Sequence, residues 1–205
     1  MNFFITATDT NVGKTFVGAH LVKALGGDIA YFKPFQSGSP SDIEEVKKIN
    51  PTVATKNSYF TKTPATPSLS AKIDGVKVSL QKVIEDYRAL EAQHERVIVE
   101  GSGGLLVPAG EDFLMSDVIL ALKLPVVIVA RPDLGTINHT LLTLSAAKNL
   151  AIDVLAVIIS NYPKNTKDPA ITTAKTYIEQ FSQQRVFELF EDSVEFAPEF
   201  ISMLR

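Results

Sequence analysis

Asn2-Phe3-Phe4-Ile5-Thr6-Ala7-Thr8-Asp9-Thr10-Asn11-Val12-Gly13-Lys14-Thr15 passes from an apolar run through a polar turn into Gly-Lys-Thr, and an amphipathic helical stretch over residues 14–25 follows. Strand, loop and helix in that order make a phosphate-binding loop: backbone N–H groups at the helix start cradle phosphate oxygens. Lys14 then reaches the terminal phosphates, and the hydroxyl of Thr15 is placed to bind Mg²⁺. The glycine that usually opens such a loop, five residues before Gly13, is Thr8 here.

Outward from this stretch, further strand-like apolar runs lie at residues 29–33, 96–100, 125–130 and 153–160. Most are continuous rather than alternating, as strands buried on both faces are, which predicts a mainly parallel sheet. Helical stretches fall between them at 79–92, 115–123, 137–150 and 170–182; Leu80, Val83, Ile84, Tyr87 and Leu90 recur at three- and four-residue spacing behind a candidate cap, Ser79. The alternation predicts an α/β fold of the P-loop type, a doubly wound sheet with helices on both faces. Nothing resembling a linker or repeat divides residues 1–205, so one domain is expected. Residues 61–71, with Pro64 and Pro67, read as a solvated surface connector.

Composition narrows the ligands. With 20 Lys+Arg against 23 Asp+Glu the formal charge is −3, which offers little net attraction to a nucleic acid. Hydrophobic residues at 45% and charged residues at 21% are those of a globular protein with one sizeable core. Cys is absent, so disulfides, thiolate metal sites and cysteine nucleophiles are excluded, and a reducing cytoplasm is the expected compartment. The opening residues lack a basic leader and meet Asp9 early, and no apolar run approaches the roughly 20 residues of a membrane span, so neither a signal peptide nor a membrane partner is expected.

Three more charged residues carry candidate chemistry. Val97-Ile98-Val99-Glu100-Gly101 ends an apolar strand on an acid, followed by Ser102-Gly103-Gly104; Glu100 reads either as a Mg²⁺ ligand or as a solvent-exposed strand end. Asp42, after the second strand, reads as a second ligand, as a cap for a helix beginning near Ile43, or as both. Lys33 opens Lys33-Pro34-Phe35-Gln36-Ser37-Gly38 at the carboxyl edge of the sheet, where open α/β folds bind ligands. Beside a phosphate loop it would stabilise charge that develops during phosphoryl transfer; without that context it reads as an ordinary solvated lysine.

Taken together, these motifs resemble those of the dethiobiotin synthase family. The family pattern G-T-D-T-x-V-G-K-T stands here as Ala7 to Thr15, K-P-x-x-[ST]-G as Lys33 to Gly38, E-G-x-G-G as Glu100 to Gly104, and L-G-x-I-N-H as Leu134 to His139. The resemblance implies a Mg²⁺-dependent homodimer that uses ATP to convert 7,8-diaminononanoate and CO₂ (or bicarbonate) into dethiobiotin in biotin biosynthesis. It implies a nucleotide site made by Asn11, Val12, Gly13, Lys14, Thr15 and Phe16, with Asp42, Glu100, Gly101, Ser102 and Gly103, and by Asn161 at the base. Thr15, Asp42 and Glu100 are the implied metal ligands, and Lys33 and Lys14 the implied catalytic cations. Thr10 and Ser37 are implied substrate contacts; Gly135, Thr136, Ile137 and Asn138 would receive the substrate carboxylate, from the neighbouring subunit. His139 reads as a packed helix residue. Ala7 replaces a family glycine, which requires that this residue avoid positive φ. Phe187-Glu188-Leu189-Phe190 replaces the usual G-x-I-P, which predicts looser base selectivity.

Other classes share the loop. A partitioning or septum-positioning switch ATPase carries a signature Lys early in it, where this chain has Asp9. A GTPase reads its base with N-K-x-D, whereas Asn161 is followed by Tyr162-Pro163-Lys164. Amide-forming synthases of cobalamin precursors usually join a glutaminase that needs a cysteine.

Overall fold

The structure, a computed structural model, describes residues 1–191 and 194–205. Its centre is a parallel sheet built from β1 (Phe3–Ala7), β2 (Ile29–Phe32), β4 (Ala54–Lys56), β6 (Arg96–Glu100), β7 (Val126–Ala130), β8 (Val154–Tyr162) and β9 (Val186–Phe190). The strand order is β4-β2-β6-β1-β7-β8-β9, and every pairing in it is parallel. All five residues of β1 and of β7 are buried, which is why their sequences are apolar on both faces. A separate parallel pair joins β3 (Phe35–Ser37) to β5 (Tyr59–Thr61).

Two apolar layers hold the sheet. On one face, Phe3, Ile5, Tyr31, Ile98, Val127 and Ile158 meet α1 (Lys14–Leu25), α2 (Asp42–Ile49) and α9 (Pro198–Leu204). On the other, Phe4, Phe32, Val97, Val99, Ile128 and Ile159 meet α4 (Leu80–Glu91), α5 (Met115–Leu122), α6 (Thr136–Asn149) and α8 (Ala174–Ser182). Helices on both faces of an open parallel sheet are the doubly wound arrangement expected from the sequence.

The expected strands and helices are present with ends shifted by a residue or two, and the differences have local causes. The helix expected over 170–182 is divided into α7 (Pro169–Thr172) and α8. Thr172 and Thr173 each turn a hydroxyl back to the carbonyl four residues earlier, at 3.1 and 2.6 Å, and such bonding bends helices. Ser79 stands at the N-cap of α4 but makes no side-chain cap bond. Residues 61–71 are not merely a connector: α3 (Pro67–Asp74) begins within them, with Pro67 in its first turn and Ser70 and Ala71 buried. Ala7 has ordinary φ and ends β1, so the missing glycine is accommodated.

Candidate active site

The carboxyl ends of β1, β2, β6 and β8 open on one cleft of about 820 Å³. Thr10, Asn11, Gly13, Lys14, Thr15, Lys33, Ser37, Asp42, Glu100, Ser102, Gly103 and Asn161 all line it. Residues 64–67, read from the sequence as a bland connector, line it as well.

The loop from Thr8 to Gly13 turns tightly into α1. Gly13 is the N-cap of that helix at φ 97°, and a Cβ there would lie 2.6 Å from Ser160 Oγ on β8. Left-handed backbone and close approach together require glycine. Asn11 also has positive φ, 58°, which asparagine tolerates better than most residues. The Lys14 ammonium folds back to the Asp9 carbonyl at 3.2 Å. Burial, with the nearby Lys33 charge, lowers its pKa to about 8.

Beside the loop lies an ionic cluster, joined to it by Thr15. Lys33 is 4% exposed and Glu100 1% exposed, so neither is the solvated strand-end residue that each was when read alone. Lys33 Nζ sits 2.8 Å from Glu100 Oε1 and 2.5 Å from Asp42 Oδ2, and donates to the Gly101 carbonyl at 3.1 Å. Burial opposes the Lys33 charge, but the Glu100 and Asp42 carboxylates outweigh it and raise the pKa above the ordinary lysine value. Thr15 Oγ1 donates to Glu100 Oε1 at 2.9 Å. Asp42 is the first residue of α2, with Ser41 as its N-cap, so Asp42 serves the ion pair rather than the cap.

Sequence reading missed two supporting residues. Gln36 is buried, and its Oε1 accepts the Asp42 backbone N–H at 3.0 Å, which fixes the start of α2. Tyr31 donates to Glu100 Oε2 at 2.5 Å. Gln36 was legible only as part of the turn-rich loop, and Tyr31 only as an apolar strand residue. Ser37 Oγ lies 3.1 Å from Thr61 Oγ1, which in turn meets Ser70 Oγ at 2.6 Å, so α3 braces this wall.

Thr15, Asp42 and Glu100 present hydroxyl and carboxylate oxygens only, a hard donor set suited to Mg²⁺, which is usually held by one or two carboxylates together with water and phosphate oxygens. Among the described residues no group of three or more His, Cys, Asp or Glu could hold a metal ion by itself.

Several expected residues lie outside the cleft. Phe16 packs at a tilt against His20 along α1, with ring centroids 4.7 Å apart, Val12 is buried in the α1 layer, and Gly101 is buried against Phe4. Gly135 to Asn138 begin α6 and do not line the cleft; Gly135 and Asn138 are exposed, Ile137 is half-buried and Thr136 is buried. His139 is a half-buried residue of the same helix. Asn161, in the left-handed region at φ 53°, places its amide beside Gly13. The Phe187–Phe190 stretch forms edge strand β9, where Phe190 packs edge-on against Tyr162 at 5.6 Å.

The sheet, the Gly13-Lys14-Thr15 loop and the acid at the end of β6 define a P-loop nucleotide-binding protein. A family model described as an AAA domain matches residues 1–190. A protein of Bacillus velezensis named ATP-dependent dethiobiotin synthetase BioD is 45% identical over 170 residues, covering 78% of this chain and 73% of its own. One of Methanococcus vannielii with the same name is 37% identical over 199 residues, covering 94% of each chain. The chain therefore belongs to the ATP-dependent dethiobiotin synthetase family. Among solved structures, the MinC:MinD cell division protein complex of Aquifex aeolicus superposes with a TM-score of 0.61 at 13% identity, over 98% of this chain and 84% of that one. That likeness is one of fold alone, and the sequence relatives favour the synthetase over the switch ATPase.

Proposed function

We propose that the protein closes 7,8-diaminononanoate and CO₂ into the cyclic urea dethiobiotin, with ATP converted to ADP and phosphate. The observation that carries this reading is Lys33, a buried ammonium held between Asp42 and Glu100 and sharing a Glu100 oxygen with Thr15 of the phosphate loop. Nucleotide binding alone has no need of a second buried cation there; a reaction that gathers carbamate, triphosphate and mixed anhydride does. One substrate amine attacks CO₂ and loses a proton, giving a carbamate. A carbamate oxygen attacks the γ-phosphorus and ADP leaves. The second amine then attacks the carbamoyl carbon and gives up a proton, and phosphate leaves as the ring closes.

In these steps the backbone of Asn11 to Thr15 and the Lys14 ammonium bind the phosphates, with Ser102, Gly103 and Asn161 completing the nucleotide site. Thr10 and Ser37 orient the diamine or its carbamate, and Lys33 stabilises the negative charge on the transferring group. Thr15, Asp42 and Glu100 would hold Mg²⁺, which when bound neutralises the phosphate oxygens. Catalysis is positioning and charge stabilisation, with no step that uses a thiol or histidine nucleophile.

The whole chain is read as one ATP-binding synthase domain, supported by two apolar layers on one continuous sheet. A homodimer belongs to the same reading, since Gly135 to Asn138 lie away from this chain's own cleft and would serve a neighbour's substrate. Among the described residues no helix is long and apolar enough to cross a membrane, and the proposed place of action is the cytoplasm, where ATP is supplied. The test is a product assay with diaminononanoate, bicarbonate, Mg²⁺ and ATP, read by mass spectrometry. Dethiobiotin is expected; ATP hydrolysis indifferent to the diamine, without product, would overturn the reading.

A further inference from the structure

Tyr31 lies within a run that reads as plain buried strand, yet its hydroxyl reaches the ionic cluster. The register explains how. Tyr31 pairs with Ile98 across β2 and β6, so Lys33, two residues beyond Tyr31, and Glu100, two beyond Ile98, fall on the same sheet face. That face is covered by α1. Glu100 is therefore a carboxylate beneath a helix, and each of its oxygens needs a donor there. Oε1 has Thr15 and Lys33, at 2.9 and 2.8 Å; Oε2 has the Tyr31 hydroxyl at 2.5 Å.

The space for that hydroxyl comes from Gly18, midway along α1. A Cβ at Gly18 would stand 2.2 Å from the Tyr31 oxygen and 2.9 Å from two of its ring carbons. Glycine inside a helix is destabilising relative to alanine, and Gly18 is not among the positive-φ residues that would need it for backbone reasons. Its place is explained by the tyrosine below it.

We infer that Tyr31 is a positioning residue for the metal-binding carboxylate: its hydroxyl, admitted under α1 by Gly18, holds Glu100 Oε2 and so aims Oε1 at Thr15 and Lys33. The inference rests on the proposed role of Glu100 as a metal ligand, and it assigns to Gly18 and Tyr31 a joint function in that site. A carboxylate held from behind presents one oxygen in one orientation, as outer partners of metal ligands do. Without the tyrosine hydroxyl the carboxylate is oriented only by the donors on Oε1, and its buried Oε2 is left without one.

The experiment measures binding of Mn²⁺, as a hard-cation probe for the Mg²⁺ site, by electron paramagnetic resonance with ADP present, in the full-length protein and its variants. Tyr31→Phe is expected to weaken Mn²⁺ binding roughly tenfold. Gly18→Ala, which displaces the same hydroxyl from above, is expected to act in the same direction. The double variant Gly18→Ala with Tyr31→Phe removes the oxygen that the new methyl would strike at 2.2 Å, leaving the two ring carbons at 2.9 Å. It should recover part of the thermal stability lost by Gly18→Ala alone without recovering Mn²⁺ affinity, a split that a merely structural role would not give. Glu100→Gln is the control. If it weakens Mn²⁺ binding while Tyr31→Phe and Gly18→Ala bind as the unaltered protein does, the inference is overturned and the metal assignment stands. If Glu100→Gln itself binds normally, the metal assignment falls and the inference falls with it.

Discussion

Lys33 shows how a single side chain changes meaning with its surroundings. At the end of an isolated strand it is a lysine in water; here burial opposes its charge, and two carboxylates within 2.8 Å restore it. A fixed cation facing the phosphate loop is preorganised for developing negative charge. Removing such a donor typically lowers turnover about 100- to 1,000-fold. Lys33→Ala is accordingly expected to lose at least about 100-fold in dethiobiotin formation while still binding ADP, because the loop and Lys14 are untouched. Turnover near that of the unaltered protein would remove the catalytic role. Lys14, Thr15, Lys33 and Glu100 were legible as candidates because each stands where a strand ends or a helix begins. The burial of Lys33 and Glu100 was not, since it arises from α1 lying over two strands whose pairing is long-range. Tyr31 was hidden altogether: one hydroxyl in an apolar run leaves no periodic trace.

At the scale of elements, one contact between the sheet edge and a helix titrates. Asp86 on α4 pairs with Lys56 of β4 at 3.0 Å and with Lys82 of its own helix at 3.1 Å, tying the edge strand to the helix layer. Burial would raise the Asp86 pKa, but its partners, these lysines among them, outweigh that and hold it below the ordinary 3.8. A carboxylate with a depressed folded pKa contributes stability that is fully present above its unfolded value and is lost as pH falls through the folded one. The stability gap between the unaltered protein and Asp86→Asn, from urea unfolding, should therefore be full near pH 6 and shrink below about pH 3.8. A gap independent of pH would show that the charge is not its source. The same edge marks where sequence reading faded. β3, β4 and β5 are three residues each, too short for a period to register, whereas the five central strands, buried on both faces, were evident as continuous apolar runs.

At the scale of the molecule, the cleft within one chain and the exposed start of α6 pose a geometric problem that the proposed second copy would resolve. Leu134 is 86% exposed and Leu142 on the same helix 61% exposed, unusual for leucines flanking and following a Gly-Thr-Ile-Asn turn expected to receive a carboxylate. If that turn serves the partner's cleft, covering Leu134 and completing the substrate site are one event. The nucleotide half of the site differs, because the phosphate loop, Lys33, Asp42 and Glu100 all line the cleft of a single chain. Leu134→Asp introduces a charge that burial in an interface would strongly disfavour. It is expected to shift the protein toward monomer in sedimentation velocity and to raise KM for the diamine about tenfold or more, while KM for ATP changes little. A dimer that persists with an unchanged KM for the diamine would place the carboxylate elsewhere. Monomers with both KM values raised alike would mean that the nucleotide site also depends on the partner, contrary to its assembly from one chain's strand ends.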